Sequence, residues 1–141
     1  MITVTKKYEF SAAHMLEGHS KCGHLHGHNY VVTVEVDLEQ EQDSQQMVLD
    51  CVLLDSVVQP VLDHLAGKFL ISTENIRMKN PYINIAVDRS DGWVLGVSTT
   101  SPEHLAEYIA TNIGELIFGD VTVTVHDTNN SSATYWVGGN V

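Results

Sequence analysis

The sequence predicts a single α+β domain, an antiparallel sheet with helices packed on it, and three observations carry that reading. β-branched alternation dominates both ends of the chain, helical periodicity appears twice between them, and no repeat, linker or low-complexity block divides the 141 residues. A chain of this length supports one hydrophobic core, and 43% apolar with 18% charged residues is a globular composition. The domain is expected to span residues 1–141.

Val4 to His14 alternate loosely and read as a first strand; the polar stretch Glu17 to Gly23 follows as a loop. From His26 the run H-G-H-N-Y-V-V-T-V-E-V-D is rich in β-branched residues. As a strand it sets His26, His28, Tyr30, Val32, Val34 and Val36 on one face. Glu39 to Gln46 reads as a polar turn, and Met47 to Leu49 as a short strand extension before Asp50. Leu54, Val58, Val61, Leu62 and Leu65 then recur at helical spacing, with Gly67 near the natural helix end. Ser72 to Thr100 is less regular. Within it, Tyr82–Val87 and Trp93–Val97 read as two short strands around Ser90-Asp91-Gly92, a hairpin signal. Ser101 as N-cap, Pro102 at the first position and Glu103 at the positive end of the dipole open a second helix. Its expected inner stripe is Leu105, Ile109, Asn112, Ile113 and Leu116, with Asn112 the polar exception. Val121–Val125 and Ala133–Val137 close the chain as an antiparallel pair.

Charge and segment content narrow the function classes. Acidic residues outnumber basic ones by 18 to 7, a net −11 that repels nucleic acid and anionic membranes. No run approaches the ~18 apolar residues of a membrane span. MITVTKKYEF lacks the apolar segment of a signal peptide, so the cytoplasm is the expected compartment. Two cysteines, Cys22 and Cys51, are too few for a disulfide scaffold and are expected as free thiols. A phosphorylated substrate would need a local positive group, which a bound metal and a few histidines supply.

His26 and His28, two apart on a predicted strand, leave the same face roughly 7 Å apart at the backbone, close enough to converge on one ion. His14 ends the preceding strand, and antiparallel pairing brings it beside them. Three imidazoles suit zinc, and three protein ligands leave a fourth position open, as in catalytic sites. The spacing alone leaves open a plainer alternative, a histidine-rich surface, since the chain has eight histidines.

Phe10-Ser-Ala-Ala-His14, with Cys22-Gly-His-Leu-His26-Gly-His28-Asn-Tyr, resembles the zinc signature of the 6-pyruvoyl-tetrahydropterin synthase family. It is most similar to the 6-carboxy-tetrahydropterin synthases of queuosine biosynthesis. The likeness continues through Met47-Val-Leu-Asp50, Leu65 to Leu70, Thr100 to Ala106 and Val125 to Thr128, covering most of the chain except Tyr82 to Val97. The resemblance implies the tunnelling fold, a four-stranded antiparallel sheet with two helices on one face, here with an extra hairpin at about residues 82–97. It implies homo-oligomers, trimers or hexamers, with active sites between subunits. It also implies His14, His26 and His28 as zinc ligands and Cys22 as the catalytic thiol, whose thiolate acts as general base on a metal-bound substrate side chain. Cys51 is expected as a small core residue.

Two positions depart from the family pattern. Its L-D-H-K-F-L segment reads Leu65-Ala66-Gly67-Lys68-Phe69-Leu70 here, so the Asp-His dyad that helps the cysteine move protons is absent. An Asp63-His64 pair lies three residues earlier, making His64 a candidate replacement or an ordinary surface residue. At Val125-His126-Asp127-Thr128 the family's pterin-anchoring Glu is replaced by Asp127, which keeps the charge on a shorter arm. Glu103 is a second substrate-binding candidate, or simply a stabiliser of its helix. The implied activity is a zinc-dependent lyase on a reduced pterin such as 7,8-dihydroneopterin triphosphate. The alternatives are a divergent zinc-containing pterin binder, or an enzyme of the same fold with an altered substrate and His64 or His126 as proton carrier.

Overall fold

The two longest alternating runs form the two longest strands, β1 (Ile2–His14) and β2 (His26–Leu38), paired antiparallel along their full length. The computed structural model describes residues 1–39 and 49–139. After β2 come α1 (Cys51–Leu65), β3 (Phe69–Ile71), α2 (Thr73–Arg77), α3 (Tyr82–Asp88), β4 (Gly92–Val94), α4 (Pro102–Gly114), β5 (Asp120–Thr128) and β6 (Ser131–Val137). The sheet runs β4-β3-β1-β2-β5-β6, parallel across β4-β3-β1 and antiparallel elsewhere. The four expected antiparallel strands are its centre and one flank, and two short parallel strands extend the other edge.

The core lies where the alternating face of the sheet meets the periodic faces of α1 and α4. Tyr8, Phe10, Tyr30, Val32, Val34, Val36, Val121, Val123 and Val125 point into it from the sheet. Leu54, Val58, Leu62 and Leu65 meet them from α1, and Leu105, Ile109 and Ile113 from α4. Each such aliphatic side chain contributes about 1.5–3 kcal/mol by leaving water, so this contact fixes which face of β1 and β2 is interior. The α4 stripe differs from expectation: Asn112 and Leu116 are exposed, and Ala106, Ala110 and Ile117 are buried in their place. Asn112 instead donates to the Tyr108 carbonyl on its own helix at 2.7 Å.

The expected hairpin over 82–97 is not formed. Tyr82–Asp88 is α3, and only Gly92–Val94 is strand. The alternation of Ile83, Ile85 and Val87 suggests a strand, but local capping decides otherwise. The Asn80 side chain accepts from the Tyr82 amide at 3.0 Å and its carbonyl accepts from the Ile83 amide at 3.2 Å, starting a helix turn. Ile83 and Ala86, three apart, then pack with Phe69 and Ile71 of β3, leaving Ile85 and Val87 exposed. Ser90, at φ 59°, ends the helix where the hairpin turn was expected. Of the Met47–Leu49 extension, Leu49 is a bend and the other two residues lie outside the described ones; so does most of the Glu39–Gln46 turn. Cys51 is exposed, not core: it begins α1 one turn before the buried stripe starts at Leu54.

Candidate metal centre

The β1–β2 register sets the candidate ligands. His14 pairs with His26 and Ala12 with His28, so pleat alternation sends all three imidazoles to the core-side face at the loop end of the β1–β2 hairpin. Phe10 stacks on Tyr30 one step along that face, with ring centroids 4.8 Å apart, and floors the site. One ring nitrogen from each of His14, His26 and His28 lies within 4.8 Å of the others.

A backbone group holds each ring. His14 Nδ1 donates to the Thr100 carbonyl at 2.9 Å, and His26 Nδ1 donates to the His24 carbonyl at 2.7 Å. The backbone of Asp127 bonds the His28 ring. A carbonyl only accepts, so Nδ1 carries the proton in His14 and His26, and Nε2 keeps its lone pair. Those two Nε2 atoms face each other at 3.0 Å. Two ring nitrogens so placed share either a proton or a metal ion. Burial, the largest cause, together with the neighbouring rings His26 and His28, pushes His14 down to about 4. Burial and His26 likewise push His28 down. Imidazoles held by backbone groups, with ring nitrogens converging on one point, are the donor set zinc takes, and orienting partners of this kind raise ligand affinity. The residues present therefore fit a zinc ion with an open fourth position.

Cys22 sits in the connection between β1 and β2, four residues before His26. The loop is closed by Leu16 N donating to the Cys22 carbonyl at 3.0 Å. His19 Nδ1 accepts from the Lys21 and Cys22 amides at 3.2 and 2.9 Å. Gly23 is required there: a Cβ would meet the His19 carbonyl oxygen at 2.3 Å. The thiol is half-buried.

His28 lines two cavities. One, of about 580 Å³, also has Lys7, Asn29, Thr33, His126 and Asp127 on its wall. Asp127 Oδ1 accepts from Ser131 Oγ at 2.7 Å there, and the buried Nδ1 of His126 has no hydrogen-bond partner among the described residues. The other, of about 770 Å³, is bounded by Ser11, Leu25, Gly67, Lys68, Tyr82 and Arg89. Gly67 occupies the expected histidine position of the dyad at φ +73°, with its amide bonded to the Ser11 carbonyl at 2.7 Å. His64 lies elsewhere: its ring stacks on Trp93 with centroids 4.7 Å apart, in a third cavity shared with Asp63 and Lys68. Lys68 is the wall between that cavity and the 770 Å³ one. Glu103 is exposed in the first turn of α4 and lines neither cavity of His28.

Two participants were not legible in the sequence. Thr100 is fully buried with its carbonyl on His14. The hydroxyl of Tyr30, also fully buried, has no hydrogen-bond partner among the described residues and lies beside His14 and His28. Tyr30 had a signal, its shared face with His26 and His28; the Thr100 carbonyl had none, because backbone acceptors leave no trace in residue type.

The family description "6-pyruvoyl tetrahydropterin synthase" matches residues 3–137. A 6-carboxy-5,6,7,8-tetrahydropterin synthase of Haemophilus influenzae is 33% identical over 114 residues, 77% of this chain and 79% of that one. Another of the same name, from Rickettsia felis, is 29% identical over 119 residues, 84% and 81% of the two chains. Among solved structures, the Plasmodium falciparum 6-pyruvoyl tetrahydropterin synthase superposes with a TM-score of 0.76 over 97% of this chain and 98% of that one, at 20% identity. The Caenorhabditis elegans enzyme does so with 0.70 over 99% and 96%, at 22% identity. These two likenesses establish the fold.

Proposed function

Because the chain belongs to the 6-pyruvoyl tetrahydropterin synthase family, we propose that it is a zinc-dependent lyase acting on a reduced pterin of the 7,8-dihydroneopterin triphosphate type. The observation that carries this reading is the triad itself: three imidazoles, each tied by a backbone group, with one ring nitrogen from each converging within 4.8 Å. His14, His26 and His28 hold the ion. A zinc ion bound there supplies Lewis acidity that lowers the pKa of substrate side-chain hydroxyls.

The chain's own residues do the rest. Cys22, on its closed loop, takes a proton from the substrate side chain as general base. Asp127 is in the 580 Å³ cavity beside His28, where a carboxylate can accept two parallel N–H bonds from the amino-pyrimidine edge of a pterin. Its Ser131 partner fixes the carboxylate's rotation. Glu103 is the second substrate-binding candidate, whereas His64, stacked on Trp93 in a separate cavity, is not needed for proton transfer in this reading. The homologues named as 6-carboxy-tetrahydropterin synthases favour the carboxy product, and the reaction is taken as cytoplasmic and carried out by a homo-oligomer, trimer or hexamer.

A second reading is favoured by one observation. Ala66 and Gly67 occupy the dyad positions, so the protein is then a zinc-containing pterin binder without lyase activity, or an enzyme of altered substrate. Turnover of 7,8-dihydroneopterin triphosphate by the purified, zinc-loaded chain decides between them. Product formation at an ordinary enzymatic rate supports the lyase. Tight pterin binding without turnover replaces it with the binder.

A further inference from the structure

Four consecutive hydroxyl residues, Ser98-Thr99-Thr100-Ser101, lead into α4, and only Thr100 is buried. The segment belongs to no strand or helix, so no ladder of backbone bonds fixes it. Yet its Thr100 carbonyl sets the tautomer of His14 from 2.9 Å, with the Thr100 hydroxyl 3.3 Å from the same nitrogen. Something must hold that carbonyl in place.

His104, in the first turn of α4, is placed to do so. Its Nδ1 faces Thr99 Oγ1 at 2.9 Å and Ser101 Oγ at 3.0 Å, and its Nε2 faces Ser98 Oγ at 3.0 Å. Thr99 Oγ1 also donates to Ser101 Oγ at 3.0 Å. The ring therefore bonds the residues on both sides of Thr100 through both of its nitrogens. A neutral imidazole offers one donor and one acceptor and hydroxyls serve as either, so Nε2 bonds Ser98 while Thr99 and Ser101 share the single bonding position of Nδ1. The amides of Thr73 and Glu74, bonded to the Val97 and Ser98 carbonyls at 2.8 and 3.1 Å, anchor the start of the segment to α2.

We propose that His104 is a positioning residue for the metal centre: it clamps Ser98–Ser101 so that the Thr100 carbonyl holds the His14 ring in its ligating orientation. The inference rests on His14 being a zinc ligand. Outer partners of metal-bound histidines act in this way, and their loss typically weakens metal binding by roughly 10–100-fold.

The test uses the full chain, with zinc affinity measured by competition against a chromophoric chelator and ligand geometry read from the visible absorption of the cobalt-loaded protein. His104→Ala is expected to weaken zinc binding by about 10–100-fold and to alter the cobalt spectrum. His104→Gln, whose amide also offers a donor and an acceptor, is expected to recover part of the affinity. The double variant Ser98→Ala/Thr99→Val is expected to act in the same direction and to add little on top of His104→Ala. Zinc affinity within twofold of wild type, or a lowered melting temperature with an unchanged cobalt spectrum, overturns the inference. Should His104→Ala fail to fold, the Ser98→Ala/Thr99→Val variant decides by the same criteria. A wild-type chain that binds no zinc overturns the His14 assignment itself, whereas wild-type binding with indifferent variants overturns only the role of His104.

Discussion

The β1–β2 hairpin and the segment from Ala66 to Thr100 border the same cavity but hold their side chains by different means. In the hairpin, thirteen paired positions fix the register, and a one-residue slip of β2 would turn His26 and His28 to the face opposite His14. In the segment, β3 and β4 have three residues each, and position depends on caps and turns: Asn75 with Ser72, Asn80 at α3, Gly67 and Ser90 at positive φ. Cooperative pairing protects the ligands, because moving one means breaking the ladder. Local turns leave each residue replaceable, and this is where the dyad positions have become Ala66 and Gly67.

The hardest test of that contrast is to delete a ligand. His28→Ala should take the chain from about one zinc ion to almost none, since two imidazoles seldom hold zinc without a third ligand; full zinc content by elemental analysis would break the assignment. Next in size is Cys22→Ala, expected to lower kcat by about 10²–10⁴-fold, the range for a general base, with zinc retained. Wild-type kcat in that variant would move the proton transfer to another group, His126 being the next to replace. His64→Ala should cost less than Cys22→Ala, no more than about tenfold in kcat against the 10²-fold minimum for a direct acid or base, because the ring stacks on Trp93 in a separate cavity. A loss as large as that of Cys22 would instead place His64 at the reacting atoms and make the edge segment as important as the hairpin. The smallest effect is on stability. Restoring the dyad with Ala66→Asp/Gly67→His should destabilise the fold by about 1–2 kcal/mol, the cost of a left-handed conformation for a residue with a Cβ, as read from urea unfolding. If activity rises despite that cost, the missing dyad was limiting; no stability loss would show that Gly67 does not need its φ of +73°.

The same contrast explains what was legible in the sequence. Period-two alternation over Val4 to His14 and from His26 to Asp37 announces both strands and the shared face of His26 and His28, while the ligand set came from the resemblance of the motifs around His14 and His26. Tyr82–Val87 misled because Ile83, Ile85 and Val87 alternate, while the deciding signals were the Asn80 cap and the fit of Ala86 against Phe69 and Ile71. Those are contacts with residues distant in sequence or bonds to backbone, which periodicity does not register. Leu116 misled in a similar way: it continues the helical pattern one step beyond the helix end at Gly114, and Ile117 takes the interior position. Thr100 was invisible for a third reason, since its contribution is a carbonyl.

The facing Nε2 atoms of His14 and His26 have a consequence for the folding landscape. Nearly every other local choice in the hairpin agrees with the fold, but here two ring nitrogens meet at 3.0 Å, a contact that holds only if a proton or a metal ion is shared between them. The native state thus contains a small frustrated spot at the loop end of its most regular element. In metal-free protein that end is where the ladder should open first, exchanging the amides near Ala13 and Gly27 faster than those near Val4 and Val36. Zinc converts the conflict into a bond and should slow exchange there by mass action.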